Sequence, residues 1–281
     1  LPQKVAVAII HGVGRTQPGF AGQMTAALER RCYQDCGDGV VFRSVYWSPL
    51  LQAAENTLWS RISAGGPLNY GALRRLVIDF LADAVAYQVT PHDRAIYDSI
   101  HAVFAATLGE LARTAGPNAP LCIIAHSLGT IIASNYIYDL QTEHERPILP
   151  KTVRAVMQPT PLETGQTLSL FYTLGSPLAL WSLRYADFGR PVQIPDPHLS
   201  RYHRALGGEW INFYDADDVL AYPIKPLNDA YRRAVSTDWP VDVGDLSTRW
   251  NPLSHLEYWD APAVIEPIAT GIRRMWQTVN P

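Results

Sequence analysis

"LCIIAHSLGTIIA" (121–133) is the stretch on which the fold turns. Leu121 to Ala125 is a short, continuous apolar run of the kind found in strands buried on both faces. After His126-Ser127-Leu128-Gly129 the apolar residues take up a helical period that carries on to about residue 142. Strand and helix therefore meet across one tight turn centred on Ser127. Two readings of that serine stand. It caps the helix, as serines before helices commonly do. Alternatively, it is a nucleophile held on a strained turn, with the small residues Ala125 and Gly129 letting strand and helix pass close by.

The same alternation extends in both directions. "KVAVAII" (4–10) reads as a strand ended by His11-Gly12, with a helix over 18–34 and a second strand, "VVFRSVYW" (40–47), stopped by Ser48-Pro49. Residues 50–115 read as helical. One stripe there holds Leu73, Leu76, Val77, Phe80, Leu81, Ala84 and Val85, and a second holds Ile96, Ile100, Val103, Phe104 and Leu108. "LSLFYTLGS" (168–176), "WINFYDADD" (210–218) and "WPVDVG" (239–244) supply later strands, 145–166 is proline-rich and irregular, and 261–279 is a terminal helix. Strands alternating with helices predict an α/β fold with a mainly parallel central sheet flanked by helices. The expectation is a single domain over 1–281, with an added helical region at 50–115 and a candidate lid or cap at 177–208. Ligands of such sheets bind beyond the carboxyl ends of the strands. Those ends are His11-Gly12, Ser127, Gly175-Ser176 and Asp215 to Asp218.

The bulk numbers bound the function. With 281 residues, 47% of them hydrophobic and 17% charged, the chain builds a large core and is not disordered. A net charge of −3 argues against a sequence-independent nucleic-acid surface. The most apolar helix, 71–89, carries Arg74, Arg75, Asp79 and Asp83, so no integral membrane segment is expected. Cys32 and Cys36 stand four apart on a helix and Cys122 lies in a strand, which is neither a disulfide framework nor a metal spacing. No signal peptide is visible, and the expected compartment is the cytoplasm.

A nucleophilic serine needs a base, an orienting carboxylate and oxyanion donors. "NFYDADDVLAYP" offers Asp215, Asp217 and Asp218 at a later strand end. It lacks the Gly and the later Glu of an EF-hand loop, so calcium is not implied. A plain acidic turn is the competing reading. Of eight histidines, His92 and His101 fall in the helical region and His144 ends a helix. His11 and His126 come too early for the order Ser, Asp, His, and His198 and His203 precede the acidic turn. Only His255, in "RWNPLSHLEYWD", follows both the serine and the acids.

With these landmarks in place the chain resembles the α/β-hydrolase superfamily, in particular its lipase- and esterase-like members. "IIHGVG" resembles the family's His-Gly oxyanion loop, and "IAHSLG" its nucleophile elbow, with Ala125 where Gly is commoner. "FYTLGSPLAL" resembles the sixth strand and its Gly-Ser-Pro turn, "YDADDVLAYP" the acid turn, and "SHLEYW" the loop of the catalytic histidine. These landmarks span residues 5 to 259, whereas 50–115 matches no part of the minimal fold. The resemblance implies a serine carboxylester hydrolase in which Ser127 attacks, His255 moves the proton and Asp217 orients the imidazole. It selects Asp217 over Asp215 and Asp218, because Asp, one residue, then Val precedes a nearby proline. It further implies an oxyanion hole from the backbone N–H groups of Val13 and Leu128. His11 and Gly12 (with Gly14) would support the loop. No metal or cofactor is implied, since "GVG" has Gln17 at the third glycine position of a dinucleotide fingerprint. The expected partner is a small-molecule or lipid ester. Trp181, Leu178 and Tyr185 either line its acyl pocket or pack an ordinary helix on the sheet. A thioesterase, acyltransferase or amidase would use the same groups, and a non-catalytic binding module on this fold is the reading from a different class.

Overall fold

The computed structural model describes residues 2–13, 16–90, 93–143, 145–244 and 252–281, with the backbone alone at 72–73, 75–80 and 252–254. Gly14, His92, His144 and the side chains of Leu73, Leu76, Val77 and Phe80 lie outside the described residues. The strands are β1 (Val5–Ile10), β2 (Val40–Val45), β3 (Leu121–His126), β4 (Leu168–Leu174), β5 (Glu209–Asp215) and β6 (Thr237–Val241). The helices are α1 (Gly22–Cys36), α2 (Pro49–Ala64), α3 (Gly71–Ala86), α4 (Ala95–Ala115), α5 (Leu128–Glu143), α6 (Lys151–Arg154), α7 (Leu178–Ser182), α8 (Asp229–Ala234) and α9 (Pro262–Val279).

The strands form one six-stranded sheet in the order β2-β1-β3-β4-β5-β6, and every neighbouring pair is parallel. Every residue of β1, β3 and β4 is buried, which explains why those strands read as unbroken apolar runs. The period of two then sorts β1 between two cores. Val5, Val7 and Ile9 face α1 and α9, packing with Met24, Leu28, Ile265 and Ile268. Ala6, Ala8 and Ile10 face the other layer, with Ile100, Phe104 and Leu108 of α4 and Ile132 and Tyr136 of α5. Chain order reverses between β1 and β3: the chain leaves β1 towards β2, and leaves β3 towards β4. The crevice at such a reversal is where open parallel sheets hold their ligands. Here it is flanked by His11, which follows β1, and Ser127, which follows β3.

The helical region 50–115 resolves into three helices with different duties. The stripe of α4 is buried as its period predicts, with Ile100, Phe104 and Leu108 at 0% exposure. On α3 the described members of the stripe are Leu81, Ala84 and Val85: Leu81 and Val85 are 54% and 70% exposed, and Ala84 is half-buried against the core. Just past the helix, the buried Tyr87 hydroxyl is hydrogen-bonded to His101 Nε2 of α4 (2.9 Å), so a polar group fixes this end. Among the described residues, no helix is long and apolar enough to cross a membrane.

Candidate active site

Ser127 adopts φ = 54° between β3 and α5, a left-handed conformation that non-glycine residues avoid. Its neighbours hold it there. Its N–H donates to Leu174 O of β4 (2.9 Å), and its carbonyl accepts from the Thr130 hydroxyl (2.7 Å). The Ser176 hydroxyl backs Thr130 (2.7 Å) and itself accepts from Leu178 N–H (3.2 Å). The turn is also tight enough to dictate glycines. A Cβ on Gly12 would lie 2.4 Å from Ser127 Cβ, and one on Gly129 2.4 Å from His11 O. Backbone this close together leaves room for no larger side chain.

Ser127 Oγ is turned away from helix capping. It lies 2.6 Å from His255 Nε2, and His255 Nδ1 lies 2.8 Å from Asp218 Oδ2. The acceptor role of the carboxylate assigns the proton to Nδ1, which leaves Nε2 to accept from the serine. All three residues are buried: Ser127 0%, His255 3% and Asp218 3% exposed. Gly175, at φ = 57°, forms the floor beneath them, where a Cβ would come within 3.3 Å of both Asp218 Oδ2 and His255 Cε1.

The carboxylate on His255 is therefore Asp218 and not Asp217, which corrects the choice drawn from the Asp-x-Val pattern. Asp217 is exposed, and its N–H is tied to Asp215 Oδ1 (2.8 Å) in an Asx turn that aims its own side chain at solvent. Asp215 is committed as a brace, its Oδ2 accepting from Val243 N–H (2.7 Å) beyond β6. Asp218 follows one residue later and faces the crevice. Burial pushes its carboxyl up, but the hydrogen bond and charge of His255, with Leu220 N–H and the Tyr258 hydroxyl, outweigh that and hold it below its ordinary value.

Two further groups, Tyr258 and His126, have roles that the sequence reading does not assign. Tyr258 hydroxyl donates to Asp218 Oδ2 (2.9 Å) and accepts from Asp215 N–H (2.9 Å), so it fixes the carboxylate that orients His255. The 3-10 turn over Pro252–Trp259 sets it three residues after His255, on the same side. His126 Nε2 is hydrogen-bonded to His255 O (2.7 Å) and pins that loop. Burial lowers its pKa to about 3, so the ring is neutral and donates through Nε2–H. Position gave the only available signal: Tyr258 at one helical step from the histidine, His126 beside the serine.

On the opposite side of the serine, His11 bonds to Gly12 O through Nδ1 (2.8 Å) and accepts Trp47 N–H at Nε2 (3.2 Å). Its ring stacks on Trp47 at 4.8 Å, and burial lowers its pKa to about 4. Both ring nitrogens are thus spent on shaping the loop. The backbone N–H groups of Val13 and Leu128, at the two sides of this crevice, have no hydrogen-bond partner among the described residues. Of the remaining described histidines, His101 is enclosed among helices, His198 contacts Asp196 (3.2 Å) and His203 contacts Asn118 O (2.6 Å). Among the described residues no cluster of three His, Cys, Asp or Glu side chains is arranged to hold a metal ion. The three cysteines are buried free thiols.

Such an arrangement can deprotonate a hydroxyl as it attacks an electrophile, and can stabilise the oxyanion that forms. No protein-family model matches the chain, and neither a curated protein nor a solved structure matches it.

Proposed function

We propose that this protein is a serine hydrolase of the α/β-hydrolase type that cleaves carboxylic esters through an acyl-enzyme. One observation carries the proposal: a serine at φ = 54° on a strand–helix turn, with Oγ 2.6 Å from an imidazole that is itself 2.8 Å from a buried carboxylate. Ser127 Oγ attacks the ester carbonyl carbon while its proton passes to His255 Nε2. The tetrahedral oxyanion is received by the N–H groups of Leu128 and Val13, each contributing on the order of 3 kcal/mol in comparable sites. His255 then gives its proton to the departing alcohol, and the acyl group stays on Ser127. Water, deprotonated by the same imidazole, attacks the acyl carbon; the bond to Ser127 Oγ breaks, the imidazolium returns its proton to Oγ, and the acid leaves. Asp218 keeps the proton on Nδ1 throughout and stabilises the imidazolium.

The complete burial of Ser127 favours one other reading, a hydrolase-shaped binding module whose serine meets no substrate. Turnover separates the two. Ser127→Ala is expected to lose at least about ten-thousandfold in kcat on 4-nitrophenyl butyrate, with an unchanged unfolding midpoint. Wild-type protein without turnover, or a variant that keeps it, contradicts the hydrolase reading.

A further inference from the structure

One large feature of the molecule has no part in the chemistry just described. A cavity of about 1050 Å³ lies between α5, the 178–192 segment and the 226–233 segment. That is ample for a drug-sized organic molecule. Its floor is a stripe of α5: Ile131, Ser134, Asn135 and Tyr138 line it at helical spacing. Ile131 stands one turn, about 6 Å of helix rise, beyond Ser127. The opposite wall starts at Leu178, whose N–H is bound by the Ser176 hydroxyl that backs the serine turn.

Its chemistry is specific. Arg190, Arg232 and Arg233 line the cavity and are exposed. Arg232 is taken by Asp229 (2.8 Å), whereas Arg190 and Arg233 have no ion-pair or hydrogen-bond partner among the described residues. The lining also includes Asp187, so two free guanidinium groups face one free carboxylate and the balance is positive. The Trp181 ring also lines the cavity. Tyr138, Tyr185 and Tyr231 add aromatic surface.

The wall that carries Arg190 is held in an unusual shape. Asp187, Phe188 and Gly189 are all left-handed, at φ = 48°, 58° and 73°. Asn228 Nδ2 holds the carbonyls of Asp187 (2.7 Å) and Gly189 (3.0 Å), while its Oδ1 caps α8 at Tyr231 N–H (3.0 Å). Two consecutive non-glycine residues in this region are costly and persist only where the surroundings enforce them. Here one asparagine ties the loop bearing Arg190 to the helix bearing Arg233.

We infer that this cavity binds an organic monoanion with an aromatic or aliphatic body, the charge seated between Arg190 and Arg233. On the serine-hydrolase reading, from which this second step follows, that molecule is the non-reacting end of the substrate, because α5 joins the cavity floor to Ser127.

The test uses two probes of equal size, 2-naphthoate and the neutral 2-naphthamide, titrated calorimetrically into the wild-type chain and the Arg190→Gln/Arg233→Gln variant. Wild type is expected to bind the naphthoate about tenfold more tightly than the amide, as a charge-assisted contact gives. The preference is expected to fall below threefold in the double variant and to weaken with added salt. Equal binding of both probes, or an anion preference that survives the double substitution, overturns the site. In a parallel assay, naphthoate is expected to raise the KM for 4-nitrophenyl butyrate without changing kcat. Naphthoate binding with no effect on turnover overturns the substrate assignment. Binding by a chain with no Ser127-dependent turnover supports the site and contradicts the hydrolase reading instead.

Discussion

Two buried chains of hydroxyl, imidazole and carboxylate run through this molecule. One is Ser127, His255 and Asp218; the other is Tyr87, His101 and Asp139. In the second, Tyr87 hydroxyl meets His101 Nε2 at 2.9 Å, and His101 Nδ1 lies 3.1 Å from Asp139 Oδ2. The constituents match and the surroundings do not. The first chain stands at the carboxyl ends of strands, on a left-handed serine, next to backbone N–H groups that have no partner among the described residues. The second is packed where α3, α4 and α5 meet, with Tyr97 also on the carboxylate (2.9 Å) and Asn135 on the tyrosine (3.2 Å). Its Nδ1 also misses the direction of a hydrogen bond to Asp139 despite the short distance. Burial lowers the His101 pKa, Asp139 notwithstanding, so that ring stays neutral. A hydroxyl–imidazole–carboxylate chain is thus a structural motif in its own right. On the proposed reading, the strand-end setting, a left-handed serine and backbone donors at the crevice turn it into chemistry.

That contrast can be broken from either side. The largest effect is expected at the carboxylate: Asp218→Asn lowers kcat on 4-nitrophenyl butyrate about a thousandfold or more, because His255 loses its tautomer. Asp217→Asn stays within twofold, and the reverse ranking would reinstate the Asp-x-Val assignment. At the other chain, His101→Ala is expected to remove about 2–4 kcal/mol of stability by urea titration, since it leaves buried partners unsatisfied. The kcat per folded molecule changes less than about threefold. A loss of turnover at unchanged stability would mean that the helical chain serves the reaction. The smallest effect on turnover belongs to Tyr258→Phe, which removes the hydrogen bond to Asp218, worth about 1 kcal/mol, and the acceptor of Asp215 N–H, whose loss falls on stability. A fivefold fall in kcat with an unchanged KM is expected, together with a displaced acidic limb of the pH–rate profile. A loss of stability with kcat per folded molecule and the pH profile unchanged would assign the tyrosine to folding alone.

The comparison also shows what the sequence makes legible. Period and punctuation revealed the strands because β1, β3 and β4 are buried on both faces, leaving apolar runs with no competing pattern. The strand–turn–helix with Ala125 and Gly129 marked Ser127 but left cap and nucleophile both open, and chain order singled out His255 as its candidate partner, whose Nε2 lies 2.6 Å from Ser127 Oγ. Three acids within four residues differ only in where an Asx turn aims them, and that is set by Asp215 accepting from Asp217 N–H. No local pattern encodes this, and so the choice among Asp215, Asp217 and Asp218 needed three dimensions. At the end of α3 the apolar period is overridden for a related reason: Leu81 and Val85 are exposed where the buried Tyr87 hydroxyl meets His101, whereas periodicity registers only apolar residues. The sequence marked Leu178, Trp181 and Tyr185 as candidate pocket lining, and they do line the cavity, but nothing marked 226–233 as its other wall, because the two segments are distant in sequence and joined through Asn228.

The central claim is that Ser127 is a nucleophile, and covalent capture tests it most directly. The wild-type chain is incubated with a small alkyl fluorophosphonate, digested and read by mass spectrometry. One phosphonyl adduct per chain is expected on the peptide containing Ser127, absent from Asp218→Asn under the same exposure and unchanged in His101→Ala. An unlabelled Ser127 in folded wild-type protein, or an adduct on another residue, would contradict it.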